Sequence, residues 1–280
     1  MFDFPEIIRI PLRDGIDAIM TWLLDHLGAV FDAVGWGILQ VMRLFELFFV
    51  GLPWFVIVGL AFLGGWKLVG KLSSGIGFAV MLLLIGSFGY WKLAMQTMSL
   101  VSGAVLFSLL IGVPVGIAMA QSRRAEKILL PILDGMQTMP SFVYLIPALM
   151  FFGMGKVPAI IATIIYAVPP VIRLTNVGIR TVDPEAVEAA KAFGATQREV
   201  LMDVQLPLAR ESIMVGVNQT TMMALAMVVI GSMIGAKGLG MEVLLSINRI
   251  EVGRGFEAGI SIVFLAIVVD RLTHSVAKKR

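Results

Sequence analysis

The sequence of 280 residues contains no cysteine, only two histidines and few charged residues (15%). The absence of cysteine excludes disulfides, thiolate catalysis and cysteine-ligated metal sites. His26 and His274 are isolated near opposite ends of the chain, which argues against metal or acid–base chemistry. The stretch GAKGLG (235–240) lacks the G-x-x-x-x-G-K-[ST] spacing of a phosphate-binding loop, so no ATP site is expected. We therefore expect neither an enzyme nor a resident cofactor or metal in this chain.

Apolar residues, by contrast, make up 58% of the sequence, far more than the core of a soluble domain requires. Runs near the length that crosses a hydrocarbon core of about 30 Å occur at 47–66, 75–91, 98–120, 139–154, 157–175, 212–234 and 255–272. These runs predict an all-α integral membrane protein with about seven transmembrane helices. The fourth and fifth runs are short, and either could be a re-entrant segment instead of a full span.

The distribution of lysine and arginine predicts the orientation in the membrane. With the N-terminus outside, fourteen of these residues fall on the cytoplasmic side and eight on the other side. The positive-inside rule therefore favours an outside N-terminus and a cytoplasmic C-terminus. Since these charges cluster at the ends of apolar runs, the net charge of +3 needs no nucleic-acid partner, and none is expected.

The region before the first run has an amphipathic pattern. Apolar residues recur at helical spacing from Ile16 to Val41, with aspartates on other faces. The pattern predicts an interfacial helix that is interrupted near Gly28 and Gly35 and acts as a packing element. This helix and two peripheral spans form the predicted N-terminal region 1–94, which precedes a transport core at 95–274.

A polar stretch at 183–207 carries signals for two short helices. Asp183 can cap a helix, Pro184 fits the first helical position, and Glu185 adds negative charge to the first turn. This helix should end after about ten residues at Gly194, a residue type suited to a left-handed C-cap. The first half of the stretch is therefore predicted to be a short surface helix, because it is too polar and too short to cross a bilayer.

The second half of the stretch begins with another helix signal. Thr196 and Glu199 have the spacing of a capping box, and Leu206-Pro207 should end the helix that follows. Small residues surround the turn between the two helices and would let another backbone approach closely. They are Ala186, Ala189, Ala190, Gly194 and Ala195. Such a surface favours docking into a groove of a soluble partner over a plain solvated loop.

Several of these residues carry a resemblance to a known family. They are Glu188-Ala189-Ala190, Gly194, Val204 and Leu206-Pro207. Their spacing resembles the EAA motif of permease subunits in bacterial type I ATP-binding-cassette (ABC) importers, with valine in place of the usual isoleucine. The resemblance implies that 183–207 is a coupling helix that enters a cleft of a cytoplasmic ATPase, which binds ATP and Mg²⁺. The implied coupling residues are Pro184, Glu185, Glu188, Ala189, Ala190, Phe193, Gly194, Ala195, Leu206 and Pro207.

The wider segments 132–196 and 217–240 narrow the resemblance to permeases for glycine betaine and proline betaine. It implies ATP-driven import of a quaternary amine as a compatible solute for osmoprotection. The implied location is the cytoplasmic membrane of a bacterium, and the implied partners are an ATPase, an extracytoplasmic substrate-binding protein and a second copy of this permease. Import of another small solute such as an amino acid is the alternative.

Polar residues at membrane depth are the candidates for the translocation path, because they usually face protein or water. They are Gln137, Thr138, Ser141, Tyr144, Asn218, Gln219 and Thr220. Hydrogen bonding between helices explains the same residues equally well. An ion-coupled secondary transporter is a further alternative, but it would need a carboxylate in the centre of a span, and Glu257 and Asp270 lie near span ends. A membrane scaffold without transport activity also stays open.

Overall fold

The computed structural model describes residues 12–278, and these residues form helices and short connections without any strand. The helices are α1 Leu12–Gly51, α2 Trp54–Lys67, α3 Leu72–Ser87, α4 Trp91–Gln121, α5 Arg123–Thr138, α6 Ser141–Phe152, α7 Lys156–Arg180, α8 Pro184–Ala192, α9 Gln197–Glu199, α10 Leu206–Ser232, α11 Leu239–Arg249 and α12 Val252–Lys278. A π-helical segment, Val200–Gln205, joins α9 to α10.

The described helices confirm an all-α membrane architecture. Five are long and apolar enough to cross a membrane: α1, α4, α7, the continuous segment Gln197–Ser232, and α12. A sixth span results if α5 and α6, which are bent by 99° relative to each other, count together. The number of spans predicted from the sequence is therefore approximate. The predicted runs at 47–66, 75–91 and 139–154 correspond to helices of only 14, 16 and 12 residues, shorter than the ~20 that a full crossing needs.

The first helix differs from the prediction in three ways. The predicted interfacial helix is part of α1, which is long and apolar enough to cross a membrane. α1 continues without interruption for 40 residues through Gly28 and Gly35, because a glycine inside a long helix lowers its stability without breaking it. The predicted run 47–66 is divided where α1 ends and Pro53 precedes α2. Phe31 stacks on Phe151 with 4.4 Å between ring centroids. α1 therefore crosses the α6–α7 turn, at the opposite end of α7 from α8.

The core is centred on α7, which packs mainly against α4 and α10. Of its 25 residues, 16 are buried. Gly116 of α4 permits the closest approach, since an added Cβ would lie 2.6 Å from Thr175 Cβ and 2.7 Å from the carbonyl oxygen of Ile172. Gly112 makes a similar contact with Val171 one turn earlier. Gly112 and Gly116 thus serve packing within the chain.

The N-terminal helices α2 and α3 form a hairpin beside this core. Gly65 and Gly75 bring the two helices close together, because an added Cβ on Gly65 would lie 2.7 Å from the Gly75 backbone. Phe78 and Leu82 of α3 share a buried cluster with Leu265 of α12. The hairpin therefore packs on the side of the bundle formed by α12, and the division at residue 94 stays a prediction.

Candidate functional site

The stretch 183–207 folds as its local signals predict at the start of α8. A side-chain oxygen of Asp183 accepts a hydrogen bond of 2.9 Å from the backbone nitrogen of Glu185, and Pro184 occupies the first turn. The carboxylates of Asp183 and Glu185 lie at the positive end of the helix dipole, where negative charge is favourable. A helix of nine residues thus begins at the predicted position.

The end of α8 also follows the sequence. Gly194 has a φ of +87°, in the left-handed region that glycine adopts without strain. The backbone nitrogens of Gly194 and Ala195 donate to the carbonyl oxygens of Lys191 and Ala190, at 2.9 and 3.1 Å. These bonds satisfy the last carbonyls of α8 and turn the chain towards α9. Among the described residues, no atom beyond the two chain neighbours lies within 4 Å of the position where a Cβ on Gly194 would stand.

The capping box of the next helix is present, but the predicted end of that helix is wrong. The hydroxyl of Thr196 accepts from the Glu199 nitrogen at 3.3 Å, and the Glu199 carboxylate accepts from the Thr196 nitrogen at 2.7 Å. The chain then continues through Leu206-Pro207 into α10 without a break. The reason is that proline, which lacks an N–H, lies in the first turn of α10, and the π-helical segment before it accommodates the ring.

The surface of α8 is almost entirely accessible, because none of its residues is buried. Val187 supplies the contact with the rest of the chain, in a cluster with Val182 and Leu201 to which Leu206 also belongs. Phe193 is 93% exposed at the tip of the stretch, an unusual position for a large apolar side chain on a polar surface. The remaining predicted coupling residues named below are exposed or half-buried. They are Pro184, Glu185, Glu188, Ala189, Ala190, Gly194, Ala195 and Pro207.

A polar network lies directly behind this surface, and the sequence did not predict it. Arg180, the last residue of α7, forms an ion pair of 3.0 Å with Glu126 of α5. It also donates to the Met119 carbonyl oxygen at 2.7 Å and to Asn176 at 3.0 Å. Asn176 in turn donates to Glu126 at 3.1 Å. No local signal in the sequence connects Arg180 with Glu126, because the two residues are far apart in the chain.

A cavity of about 570 Å³ separates this network from the second half of the stretch. It is lined by Arg180 on one side and by Gln197, Arg198, Leu201 and Gln205 on the other.

The first group of path candidates lies at the bend between α5 and α6. Gln137 and Thr138 are exposed at the end of α5, and Ser141 begins α6. Tyr144 is 5% exposed, and its hydroxyl donates to the carbonyl oxygen of Met136 on the other side of the bend. This hydrogen bond joins α6 to α5 across the bend, so Tyr144 stabilises the bend.

The second group of path candidates lies on α10, and its members differ in burial and in hydrogen bonding. Asn218 donates to a carboxylate oxygen of Asp270 at 2.9 Å and accepts from the hydroxyl of Thr273 at 2.7 Å, so it joins α10 to α12. Thr220 is fully buried, and its hydroxyl has no hydrogen-bond partner among the described residues. Gln219 is exposed. Asn218 therefore has the contacts expected of a residue that holds the bundle together.

Across residues 12–278 the structure contains no group of three or more histidine, cysteine, aspartate or glutamate side chains arranged to hold a metal ion. The candidate site thus consists of a docking surface, a polar network behind it and two groups of polar residues within the bundle.

Residues 112–280 match the family described as "Binding-protein-dependent transport system inner membrane component". The chain belongs to this family. It is 45% identical to the glycine betaine/proline betaine transport system permease protein of Escherichia coli, with 96% of this chain and 76% of the relative covered. It is also 45% identical to the glycine betaine/carnitine transport permease protein of Listeria monocytogenes, with 98% of both chains covered. The chain is therefore an ABC importer permease and a multi-pass inner-membrane protein.

Solved structures support the same fold for the permease. It matches a chain of the MetNI methionine ABC transporter in an inward-facing conformation with a TM-score of 0.60 at 19% identity, over 66% of this chain and 94% of that chain. It matches a chain of an amino acid ABC transporter crystallised with histidines with a TM-score of 0.54 at 23% identity, over 69% and 95%. At these identities the similarity concerns the fold alone.

Proposed function

We propose that this permease imports glycine betaine, proline betaine or a related methylated amine into a bacterial cell for osmoprotection. The observation that carries the proposal is the identity of 45% over nearly the whole chain to relatives named for these solutes. A relative from Pelagibacter ubique, named for trimethylamine N-oxide, is 37% identical over 98% of this chain, which supports the same chemical class. Amino acid import has weaker support, because the similarity to amino acid transporters concerns only the fold.

The energy source in this proposal is a separate ATPase that binds Mg²⁺-ATP and receives the coupling segment, which we define as residues 183–207. The exposed surface of α8, with its capped ends and Phe193 at the tip, supports this role. Large aromatic residues of this kind often dominate the binding energy of a protein interface. The proposed partners are two copies of the ATPase, a second copy of the permease and a substrate-binding protein outside the cell.

The orientation that fits this proposal has the coupling segment in the cytoplasm. From the coupling segment α10 crosses the bundle once and α12 returns, so the C-terminal end of α12 lies on the same side as α8. α1 lies near the opposite end of α7, where Glu46 forms an ion pair with Lys156. The position of α12 fits the positive-inside prediction of a cytoplasmic C-terminus, and the outside N-terminus is proposed from the positive-inside rule alone.

Alternating access would then expose the solute path to each side of the membrane in turn. Gln137, Thr138 and Ser141 at the α5–α6 bend, together with Gln219 on α10, are the residues that we assign to the path, whereas the fully buried Thr220 packs inside the bundle. Tyr144 and Asn218 support the helices around it through their hydrogen bonds. Tight selection of the solute is assigned to the binding protein.

Reconstitution tests this function. The permease is placed in lipid vesicles with the ATPase and binding protein encoded with it, and ATP-dependent uptake of labelled glycine betaine is measured. We expect uptake to require ATP and the ATPase, and to be inhibited by proline betaine, carnitine, choline or trimethylamine N-oxide but not by methionine or histidine. Inhibition by an amino acid alone would support the amino acid alternative. Uptake driven by an ion gradient without ATP would overturn the proposal.

A further inference from the structure

The polar network at the end of α7 connects three helices at one point. Arg180 makes its ion pair with Glu126 of α5 and its hydrogen bond with the Met119 carbonyl of α4, while Asn176 joins both charged residues. The side chains of Arg180 and Glu126 are only 29% and 24% exposed. Charge-assisted hydrogen bonds between partly buried groups are stronger and less screened than those on an open surface. The network therefore holds the ends of α4, α5 and α7 in one arrangement.

A second ion pair connects the same two helices farther from α8. Arg173 of α7 pairs with Asp134 of α5, about two helical turns from the Arg180–Glu126 pair. The earlier residue of α5, Glu126, pairs with the later residue of α7, Arg180, so α5 runs antiparallel to α7 between the two ion pairs. Two ion pairs separated along the helix axis restrain α5 against pivoting on α7 more than one pair would, and the pair with the exposed Asp134 is the weaker of the two.

The two helices also connect the coupling segment to the solute path. At one end, Ile179 of α7 packs in the same cluster as Val187 of α8 and Leu201 of the π-helical segment. At the other end, α5 leads into the 99° bend, which Tyr144 braces through the carbonyl of Met136. A displacement of α8 would thus reach the bend through α7 and α5, provided that these two helices move together.

We infer that Arg180 is a positioning residue that makes α5 move with the coupling segment, so that the work of the ATPase reaches the α5–α6 bend. The inference rests on the proposed function, because it requires that the coupling segment receive the ATPase. Arginine suits the position, since its planar guanidinium donates in several fixed directions at once, whereas lysine presents a single compact charge. The network would act on transport without contact with the solute or with ATP.

The number of solute molecules transported per ATP hydrolysed, measured in the reconstituted complex, tests this role. We expect Arg180→Met to lower this ratio about tenfold while the complex still assembles, because two or more hydrogen bonds to a charged group are lost. Arg180→Lys should lower it less. The double variant Arg180→Glu with Glu126→Arg should transport better per ATP than Arg180→Glu alone, since it restores the ion pair between α5 and α7. Arg13→Met, which removes an exposed ion pair with Asp17, is the matched control and should leave the ratio unchanged.

Other outcomes would separate the inference from the proposed function. An unchanged ratio in Arg180→Met, or a double variant no better than Arg180→Glu, would overturn the positioning role. If Arg180→Met fails to fold, Glu126→Gln gives the same test, because it keeps the shape of the side chain and removes the charge. Gly194→Val, which alters the coupling segment itself, supplies the comparison. Loss of uptake in Gly194→Val with an unchanged ratio in both Arg180→Met and Glu126→Gln would reject only the inference, whereas wild-type uptake in Gly194→Val would reject the coupling role of α8.

Discussion

α7 and α8 are neighbours in the chain, yet they are stabilised in opposite ways. In α7, 16 of 25 residues are buried, whereas in α8 none of nine is buried. Packing holds α7 in place, while α8 depends on its caps and on a limited contact with the π-helical segment, to which Val187 contributes. An isolated helix as short as α8 is marginal in water. The difference indicates that α7 forms the scaffold, and the accessible surface of α8 is the one that we propose as the docking surface.

The largest expected effect tests the packing of α7 against α4. Gly116→Val would place side-chain atoms against Thr175 and the carbonyl oxygen of Ile172, where no space exists. We expect a loss of about 3 kcal/mol of stability or more, because the α4–α7 contact must separate. The measurement is the yield and thermal unfolding of the permease in detergent. Gly77→Val in α3, where nothing lies within 4 Å, is the control and should unfold near the wild-type temperature. Equal stability of the two variants would contradict the scaffold role.

The next effect concerns binding instead of folding. Phe193→Ala removes the exposed aromatic side chain at the tip of the coupling segment and should leave the fold intact, because Phe193 is 93% exposed. If it is a main anchor for the ATPase, affinity should fall by about 2 kcal/mol, or roughly 30-fold. Titration of the purified ATPase against the permease in nanodiscs measures this change. Phe55→Ala in α2, at a side chain 60% exposed, should bind normally. Unchanged affinity of the Phe193 variant would remove Phe193 from the interface.

The smallest expected free-energy change concerns the turn between α8 and α9. Gly194→Val forces a β-branched residue to a φ of +87°, which costs about 1–2 kcal/mol or shifts the end of α8. We expect the permease to fold but to lose most of its ATP-dependent uptake. Gly89→Val provides the matched control, because Gly89 has a φ of +82° in an equally open turn. If both variants lose uptake to the same degree, general strain is responsible and the turn has no special role in coupling.

The parts of the site that could be predicted are those built from neighbouring residues. Asp183 caps α8 by accepting a hydrogen bond from the Glu185 nitrogen, and Thr196 forms a capping box with Glu199. Each cap joins residues only a few positions apart in the sequence. The predicted end of the second helix at Leu206-Pro207 was wrong. A proline normally disrupts a helix, but here it lies in the first turn of α10 and the π-helical segment absorbs it.

Contacts between residues far apart in the chain could not be predicted from local signals. The hydrogen bond from Asn218 to Asp270 spans 52 positions, and the ion pair between Glu46 and Lys156 spans 110. Asn218 was predicted as a candidate for either the path or the bundle, and only its partner on α12 indicates the second role. Gly28 and Gly35 also had no local signal to distinguish an interruption from a continuous helix.

By itself, the sequence determined the membrane class, the capped helices of the coupling segment and the resemblance to ABC importer permeases. Hydrophobic run length, capping and turn formation depend on residues close together in the chain, so they can be read directly from it. Only the tertiary structure decided that α7 is the centre of the core and that Arg180 joins α4, α5 and α7 behind the coupling segment. These features depend on which helix faces come together, and that choice is made by the packing of the whole bundle.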